Sequence, residues 1–409
     1  MASFERKRTI FKNKDVLRES YQPERIEERD EEITEYMDAL QPVIDGWEPN
    51  NIFLYGNTGV GKTAVTDYLL DQLQEDAEGY DDLHLHVVKL NCTNLSSSYQ
   101  VAVELVNELR PPGARISTTG YPQQTVFDKL YSELEKLSGT VLIVLDEIDA
   151  IGTDDALLYE LPRARANGHL ESVKPGIIGI SNDFKFRNNL DPRVKDSLCE
   201  REIHFSPYNA HELERILELR AEKALQDGVL EKGVISLCAA LAARDRGSAR
   251  QALDLLLFAG DIAESQNETE VREVHVADAQ TELEKERVEE GMHELTEHGH
   301  LTLLSVVSIA ADENTPERVR PIYERYTELC EHAGVKPLGQ RSIHNHLSDL
   351  RMLGILSAKE NRSGSRGNYH VYQLDVPINS AIEALDEELI LTDVIEQIRS
   401  QAERGGLIP

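Results

Sequence analysis

The residues with the plainest chemical purpose form one octet. Gly56-Asn57-Thr58-Gly59-Val60-Gly61-Lys62-Thr63 fits the pattern GxxxxGK[ST], with a short apolar strand, Asn51 to Tyr55, before it. A helical pattern runs from Lys62 through Ala64 to about Gln74 after it. Glycines at these places let backbone N–H groups close round phosphate oxygens. The new helix turns its positive end toward the anion. Lys62 brings a cation to the β- and γ-phosphates and Thr63 offers a hydroxyl to magnesium, so ATP or ADP with Mg2+ is the implied ligand. Further along, Asp146 and Glu147 leave the apolar run Thr140 to Leu145. An acid at the C-terminal end of a parallel strand lies where open α/β sheets bind ligands. Asp146 then serves the metal, and Glu147 orients and polarises the attacking water. Asn182 tips the next strand, Gly176 to Ile180, where an amide can hold the lytic water and the γ-phosphate. Two arginines complete the series. Arg193 sits in the Pro-stiffened loop Leu190 to Lys195, facing phosphate on this chain or on a neighbouring subunit, and Arg250 opens a helix after Gly247. Taken singly, either arginine reads as a surface cation.

Strands and helices must alternate to place these groups together. The spacing predicts helices over Glu24 to Leu40, Gln100 to Leu109 and Thr125 to Leu137, and a strand over His84 to Leu90. Strands buried on both faces read as continuous β-branched and Leu runs, as Thr140 to Leu145 does. The expectation is a three-layer α/β domain. After Phe205 the pattern becomes helical, over His211 to Leu225, Lys232 to Ala243, Ser248 to Glu264 and Val274 to Glu290. The predicted layout is a mobile N-terminal arm over 1–20, a nucleotide-binding domain over 21–205 and a helical lid over 206–290. A third domain over 295–376 and an acidic helical tail over 377–409, helical from Ser380 to Arg404, complete it.

The ordered series of phosphate loop, Asp-Glu strand, Asn-tipped strand, Arg loop and Arg-bearing lid resembles the AAA+ ATPase pattern. More narrowly it resembles the archaeal replication initiators, relatives of the eukaryotic origin recognition complex and cell-division-control loader proteins. The matching pieces are Tyr21 to Arg29, Asn51 to Thr63, Asp146 to Ile151, Ser181-Asn182, Leu190 to Leu198, Tyr208 to Arg220 and Gly247 to Leu256, within a resemblance covering about residues 10–376. It implies that Tyr21, Pro23 and Ile26 pack on the adenine with Arg29 near it, and that Tyr208 and Arg220 join the nucleotide set. It also implies that Arg250 reaches the γ-phosphate and couples lid position to the nucleotide. Ser248 departs from the family, which usually has Asp there, and this touches only the capping of the lid helix.

Residues 316–376 read as a winged helix: Pro316 to His332, then Leu338 to Leu353, then strands Ile355 to Ala358 and Tyr369 to Leu374. Ile343, Leu347, Leu350 and Leu353 form the buried stripe of the second helix, leaving Gln340, Arg341, His344 and Asn345 exposed toward its start. In helix-turn-helix docking that end faces base edges. Arg362 and Arg366 on the hairpin tip suit phosphate or minor-groove contact. A second DNA candidate is the segment around Gly113 to Pro122, with Arg110 and Arg115, because the resembling family carries a DNA-touching helical insertion there. The partners so implied are double-stranded origin DNA, the replicative minichromosome maintenance helicase, and further copies or paralogues of the chain. The resulting expectation is an ATP-regulated replication initiator, an α/β AAA+ P-loop domain with a helical lid followed by an α+β winged helix, hydrolysing ATP slowly. An ATP-dependent winged-helix transcription regulator and a plasmid-type accessory initiator are the alternatives. A clamp-loader-like ATPase leaves the winged helix without a purpose.

The net charge of the chain's 409 residues is −31, which looks wrong for a nucleic-acid binder. Its distribution alters that: −25 over 1–294, −1 over 295–380 and −5 over 381–409. Over 336–371 six cations face two acids. The 15 Lys against 28 Arg, with 74 acids, resemble proteins of extreme halophiles, so the charge describes the solvent more than the partner. The scattered cysteines Cys92, Cys199, Cys238 and Cys330 show neither metal spacing nor a disulfide framework. No signal peptide follows Met1, and the apolar stretch Leu301 to Ala311 is too short to span a bilayer, so a cytoplasmic, nucleoid-associated protein is expected.

Overall fold

The computed structural model describes residues 10–293, 295–313, 315–361, 369–388 and 391–408. The chain forms two compact units, Met1–Glu273 and Val274–Pro409.

The first unit begins with α1 (Asp30–Ile44), β1 (Ile52–Gly56), α2 (Lys62–Ala77), β2 (Leu85–Asn91), α3 (Ser98–Glu108) and α4 (Gln123–Glu135). It continues through β3 (Gly139–Asp146), α5 (Ala156–Glu160), β4 (Val173–Ser181), α6 (Phe184–Asn189), α7 (Pro192–Leu198) and β5 (Arg201–Phe205). The strands form one parallel sheet in the order β2-β3-β4-β1-β5. Burial on both faces explains the unbroken apolar run of β3, where Val141, Leu142, Ile143 and Leu145 are wholly buried. One face carries α1 and α2, and the other carries α3, α4 and α5. The order puts the C-terminal ends of β1, β3 and β4 side by side. Helix α1 starts at Asp30 rather than near Glu24, because Glu28 takes a left-handed φ of +60° and interrupts the helical path. The edge strand β5 and the short helices α5 to α7 lie outside the elements expected from sequence.

Helices α8 (Ala210–Ala224), α9 (Val234–Asp245) and α10 (Ala249–Ser265) form the lid. Asn209 and Glu212 close a reciprocal capping box at the start of α8. Residues 10–17 are packed rather than mobile, which corrects the expectation for the arm over its described part. Ile10, Phe11, Val16 and Leu17 are buried against the lid. Lys12 and Asn13 donate backbone bonds to Ala224 O at 2.7 and 3.0 Å. The ring of Phe11 fills the space over Gly260, where a Cβ would meet it at 2.3 Å. Four apolar anchors among polar residues show no helical or strand period, so the segment looked unstructured.

The second unit contains α11 (Glu273–His293), α12 (Glu297–Ala311), β6 (Glu317–Arg318), α13 (Val319–Ala333), α14 (Gln340–Met352), β7 (Leu356–Asn361), β8 (Tyr369–Leu374), α15 (Ile378–Glu388) and α16 (Thr392–Arg404). Its antiparallel sheet has the order β6-β8-β7. Helix α11, expected in the lid, runs with this unit from Val274: Gly291 lies against Leu353 and Ile355, and Lys285 faces Glu383 at 3.9 Å. The tail is two helices, not one, and it is not separate. Ala381, Ile382, Leu385, Ile395 and Ile398 enter the same core as Ile343, Leu347 and Leu350. Asp386, Asp393, Glu396 and Glu403 are exposed while the apolar stripe completes the winged-helix core. Among the described residues no helix is long and apolar enough to cross a membrane. All four cysteines are free thiols.

Candidate functional site

The phosphate loop is built by the turn from β1 into α2. Gly59 and Gly61 hold φ at +78° and +93°, a region that costs other residues strain. A Cβ on Gly59 would meet Ser248 Oγ at 2.1 Å. Lys62 folds back over the loop, its Nζ donating to Gly56 O at 2.9 Å, Asn57 O at 2.8 Å and Asn182 Oδ1 at 2.8 Å. Burial pushes the Lys62 amine down to about 8, against the pull of Asp146, Asp149 and Glu147. Thr63 Oγ1 donates to Asp146 Oδ2 at 2.8 Å. Burial raises the Asp146 carboxyl from its ordinary value, opposed by bonds from Thr63 and from the Glu147 N–H. Glu147, at a left-handed φ of +54°, accepts from Thr93 Oγ1 at 2.6 Å. The Asn182 N–H donates to Asp149 Oδ1 at 3.0 Å. The ends of β1, β3 and β4 thus bring the loop, Asp146, Glu147 and Asn182 into one hydrogen-bonded cluster. A cation on the loop with a hydroxyl and a carboxylate in contact beside it is a donor set that fits a nucleotide polyphosphate and a hard divalent ion.

A cleft of roughly 530 Å³ opens over this cluster. Thr58, Gly59, Gly61, Lys62, Thr63 and Ala64 line its floor with Arg250 of α10 beside them, and Tyr21, Pro23 and Arg220 line it elsewhere. The Arg220 guanidinium lies 4.5 Å from the Tyr21 ring centre and donates to Val16 O at 3.0 Å. Gly56, Asn57 and Val60 shape the loop without lining the cleft: Val60 is wholly buried, and Asn57 Nδ2 donates to Arg246 O at 3.3 Å. Four further expectations fall elsewhere. Ile26 packs on the core beside α1 and α2. Tyr208 is buried behind the loop, with the Arg29 guanidinium 3.6 Å from its ring centre. Arg29, itself 4% exposed, donates to Val60 O at 3.2 Å and to Ser206 O at 2.7 Å and pairs with Glu32 at 2.7 Å. It clamps the loop from behind instead of facing a base. Arg193 is exposed and outside the cleft; it pairs with Asp191 at 3.0 Å and lies over the Tyr159 ring, which also carries Arg163.

In the second unit, α14 leaves Gln340, Arg341, His344 and Asn345 exposed at its start and buries Ile343, Leu347 and Leu350. Leu353 is half-buried, packed against the same core. His344 meets Tyr372 of β8 edge-on at 6.4 Å. Arg362 and Arg366 lie outside the described residues. The other DNA candidate is corrected in part. Arg110 is committed to the buried Glu133, its Nε donating to Oε1 at 2.6 Å, and Lys136 and Arg110 hold that carboxyl below its ordinary range. Arg115 is exposed, after a single 3-10 turn at Pro112–Ala114 in place of an inserted helix.

Three family models match the chain: an AAA domain over 48–178, a Cdc6 AAA+ ATPase-type lid domain over 214–281, and a CDC6 C-terminal winged helix domain over 290–384. The "ORC1-type DNA replication protein 15" of Haloarcula marismortui is 69% identical over 98% of each chain. "ORC1-type DNA replication protein 10" of Halobacterium salinarum is 66% identical over 100% of this chain and 99% of its own. The chain belongs to the ORC1-type DNA replication proteins. A solved ORC1-type structure, the Aeropyrum pernix ORC1 protein in complex with DNA, shares 37% identity and a TM-score of 0.81 over 95% of this chain and 100% of that one. The first unit is therefore an AAA+ domain with its lid, and the second a winged helix. In this ORC1-type chain the departure at Ser248 is absorbed locally, since its Oγ caps α10 by accepting from Gln251 N at 3.2 Å. Thr93, Asp149 and Arg29 support the cluster yet were not singled out for that role by sequence. Asp149 was visible one turn after Asp146-Glu147, whereas Thr93 becomes legible only once β2 is known to lie beside β3.

Proposed function

We propose that this protein is a nucleotide-switched replication initiator that binds duplex origin DNA and helps recruit the replicative minichromosome maintenance helicase. The observation that carries the nucleotide half is the single cluster of Lys62, Thr63, Asp146, Glu147 and Asn182 on the floor of the cleft. The DNA half is supported by the exposed polar start of α14 and by the Aeropyrum pernix relative solved in complex with DNA. ATP is the substrate. Lys62 and the loop N–H groups bind its phosphates, Thr63 and Asp146 would hold magnesium, and Tyr21, Pro23 and Arg220 wall the side of the cleft away from the phosphate cluster. Bound magnesium neutralises charge on the phosphate oxygens. Glu147, fixed by Thr93, takes the proton of the attacking water, and Asn182 orients that water. Turnover is slow because Arg193 lies outside its own cleft and completes a neighbouring copy's site. The protein works in the cytoplasm on the nucleoid.

The reading is tested by titrating Mg-ATP into the parental protein and the Lys62→Ala variant, and by mapping bound DNA genome-wide. Lys62→Ala is expected to abolish nucleotide binding. Binding sites are expected to cluster at one or two origin-proximal repeats, and promoters in their place would sink the initiator reading. Arg341→Ala is expected to weaken duplex binding, and unchanged affinity would remove α14 from the DNA interface.

A further inference from the structure

Glu19 forms an ion pair that the nucleotide reading leaves without a purpose. It lines the cleft, and its Oε1 accepts from Nη2 of Arg250. Arg250 stands in the first turn of α10, directly on the phosphate loop. The N–H of its neighbour Ala249 donates to Gly59 O at 2.9 Å, and Arg250 Cβ would lie 3.2 Å from a Cβ on Gly59. Glu19 is fastened to the lid from both sides along the chain. Before it, Val16 and Leu17 are buried and Val16 O accepts from Arg220 at 3.0 Å. After it, Tyr21 lies under the Arg220 guanidinium at 4.5 Å. The pair is partly open to the cleft, with the two side chains 42% and 64% exposed.

We propose that Glu19 is a specificity-determining residue: it is the resident anion on Arg250, and it sets how strongly the cleft prefers a nucleoside triphosphate to a diphosphate. The proposal rests on the reading of this cleft as the nucleotide site. The Nη2 donor that Arg250 gives to Glu19 is not free for an incoming phosphate, and two anions on one guanidinium repel each other, so the Glu19 carboxylate and a phosphate compete for Arg250. A phosphate that recruits Arg250 must therefore displace the Glu19 carboxylate. A diphosphate, one phosphate shorter, leaves the pair intact and incurs no such cost. Glu19 thus weakens triphosphate binding selectively. Because Arg250 belongs to the lid and Glu19 to the strap packed on it, displacement changes the contacts between residues 10–24 and the lid, which links the bound nucleotide to the strap.

The test is calorimetric titration of the full chain with Mg-ADP and with a non-hydrolysable Mg-ATP analogue, for the parental protein and for Glu19→Gln, Glu24→Gln, Arg250→Gln and the double variant. Glu24 lines the same cleft and pairs with Lys223 at 3.9 Å, so it reports the general field of one cleft acid. Partly exposed pairs of this kind predict that Glu19→Gln tightens the triphosphate analogue about two- to fivefold while ADP shifts no more than with Glu24→Gln. In the Arg250→Gln background the Glu19 effect is expected to vanish. Equal tightening of both nucleotides, or an effect that persists without Arg250, would overturn the proposal while leaving the nucleotide site intact. Failure of the parental protein to bind either nucleotide would instead remove the reading on which it rests.

Discussion

Replacing Arg29 by alanine separates two roles for this residue, a base contact and a clamp on the phosphate loop. The guanidinium is 4% exposed, lies 3.6 Å from the Tyr208 ring centre, and bonds Val60 O, Ser206 O and Glu32. Its removal leaves two carbonyls and a carboxylate without their donor. Breaking one side of a buried ion pair costs about 3–5 kcal/mol, and Glu32, at 15% exposure, recovers some hydration, so about 3 kcal/mol is expected. For a unit of this size that lowers the unfolding transition by roughly 6–12 °C. Val60 belongs to the loop that must receive the phosphates, so nucleotide affinity falls with it, about tenfold if reordering the loop costs about 1.4 kcal/mol. Arg29→Lys keeps the charge but loses the planar stack and the fork, and should fall between. The assay is thermal unfolding of the full chain together with titration of ATP and GTP. A variant with an unchanged transition that loses affinity for ATP but not for GTP would refute the clamp and restore the base contact.

Gly59→Ala should reduce nucleotide affinity at least tenfold with far-ultraviolet dichroism unchanged, because the new methyl collides with Ser248 and pushes the lid off the loop. Glu147→Gln should bind nucleotide like the parent but hydrolyse it about a hundredfold more slowly, as loss of a general base requires. Phosphate release at the parental rate would remove Glu147 from that role. Leu385→Ala, at a wholly buried position of α15, should cost the second unit about 2–5 kcal/mol by unfolding in denaturant. An unchanged midpoint would mean that the tail contributes nothing to the core.

The parts of this fold that were legible in the sequence are those with long-range consequences written locally. Strand β3 is an unbroken apolar run because both its faces are covered, and the loop before α2 needs glycine where φ is positive. The stripe of Ile343, Leu347 and Leu350 marked the buried side of α14 for the same reason. What escaped has physical grounds. The edge strand β5 has only two apolar residues, Ile203 and Phe205, over five positions, too few to separate from a loop. The strap over 10–17 is held by isolated apolar anchors and backbone bonds to Ala224, which have no period. Arg110 looked like a free cation because its partner Glu133 lies on another helix. The resemblance places Tyr208 in the nucleotide set and Arg29 near the adenine, whereas the structure stacks them together behind the loop. For the strap, Arg110, Tyr208 and Arg29, a contact made far along the chain decided the outcome.

The charge distribution constrains how such an acidic protein meets DNA. A net charge of −31 repels a polyanion at long range, but at about 1 M salt the Debye length is only ~3 Å, so the acidic AAA+ unit is screened from the duplex. The same screening removes electrostatic steering, which leaves contacts at van der Waals range to decide binding. Among the described residues of the winged-helix segment 336–371, the exposed cations are Lys336, Arg341, Arg351 and Lys359. If all four met phosphates, the slope of log K against log salt would be about −3.6, since each phosphate neutralised contributes about −0.9. Arg362 and Arg366, if they also contact the backbone, extend this to about −5.4. Gln340, His344 and Asn345, by contrast, offer hydrogen bonds to base edges that release no counterions. On this count the winged-helix segment can supply at most about six phosphate contacts, and duplex affinity measured from moderate to high salt should fall with a slope no steeper than about −5.4. A slope near −10 would place the main phosphate contacts on residues outside α14 and the wing.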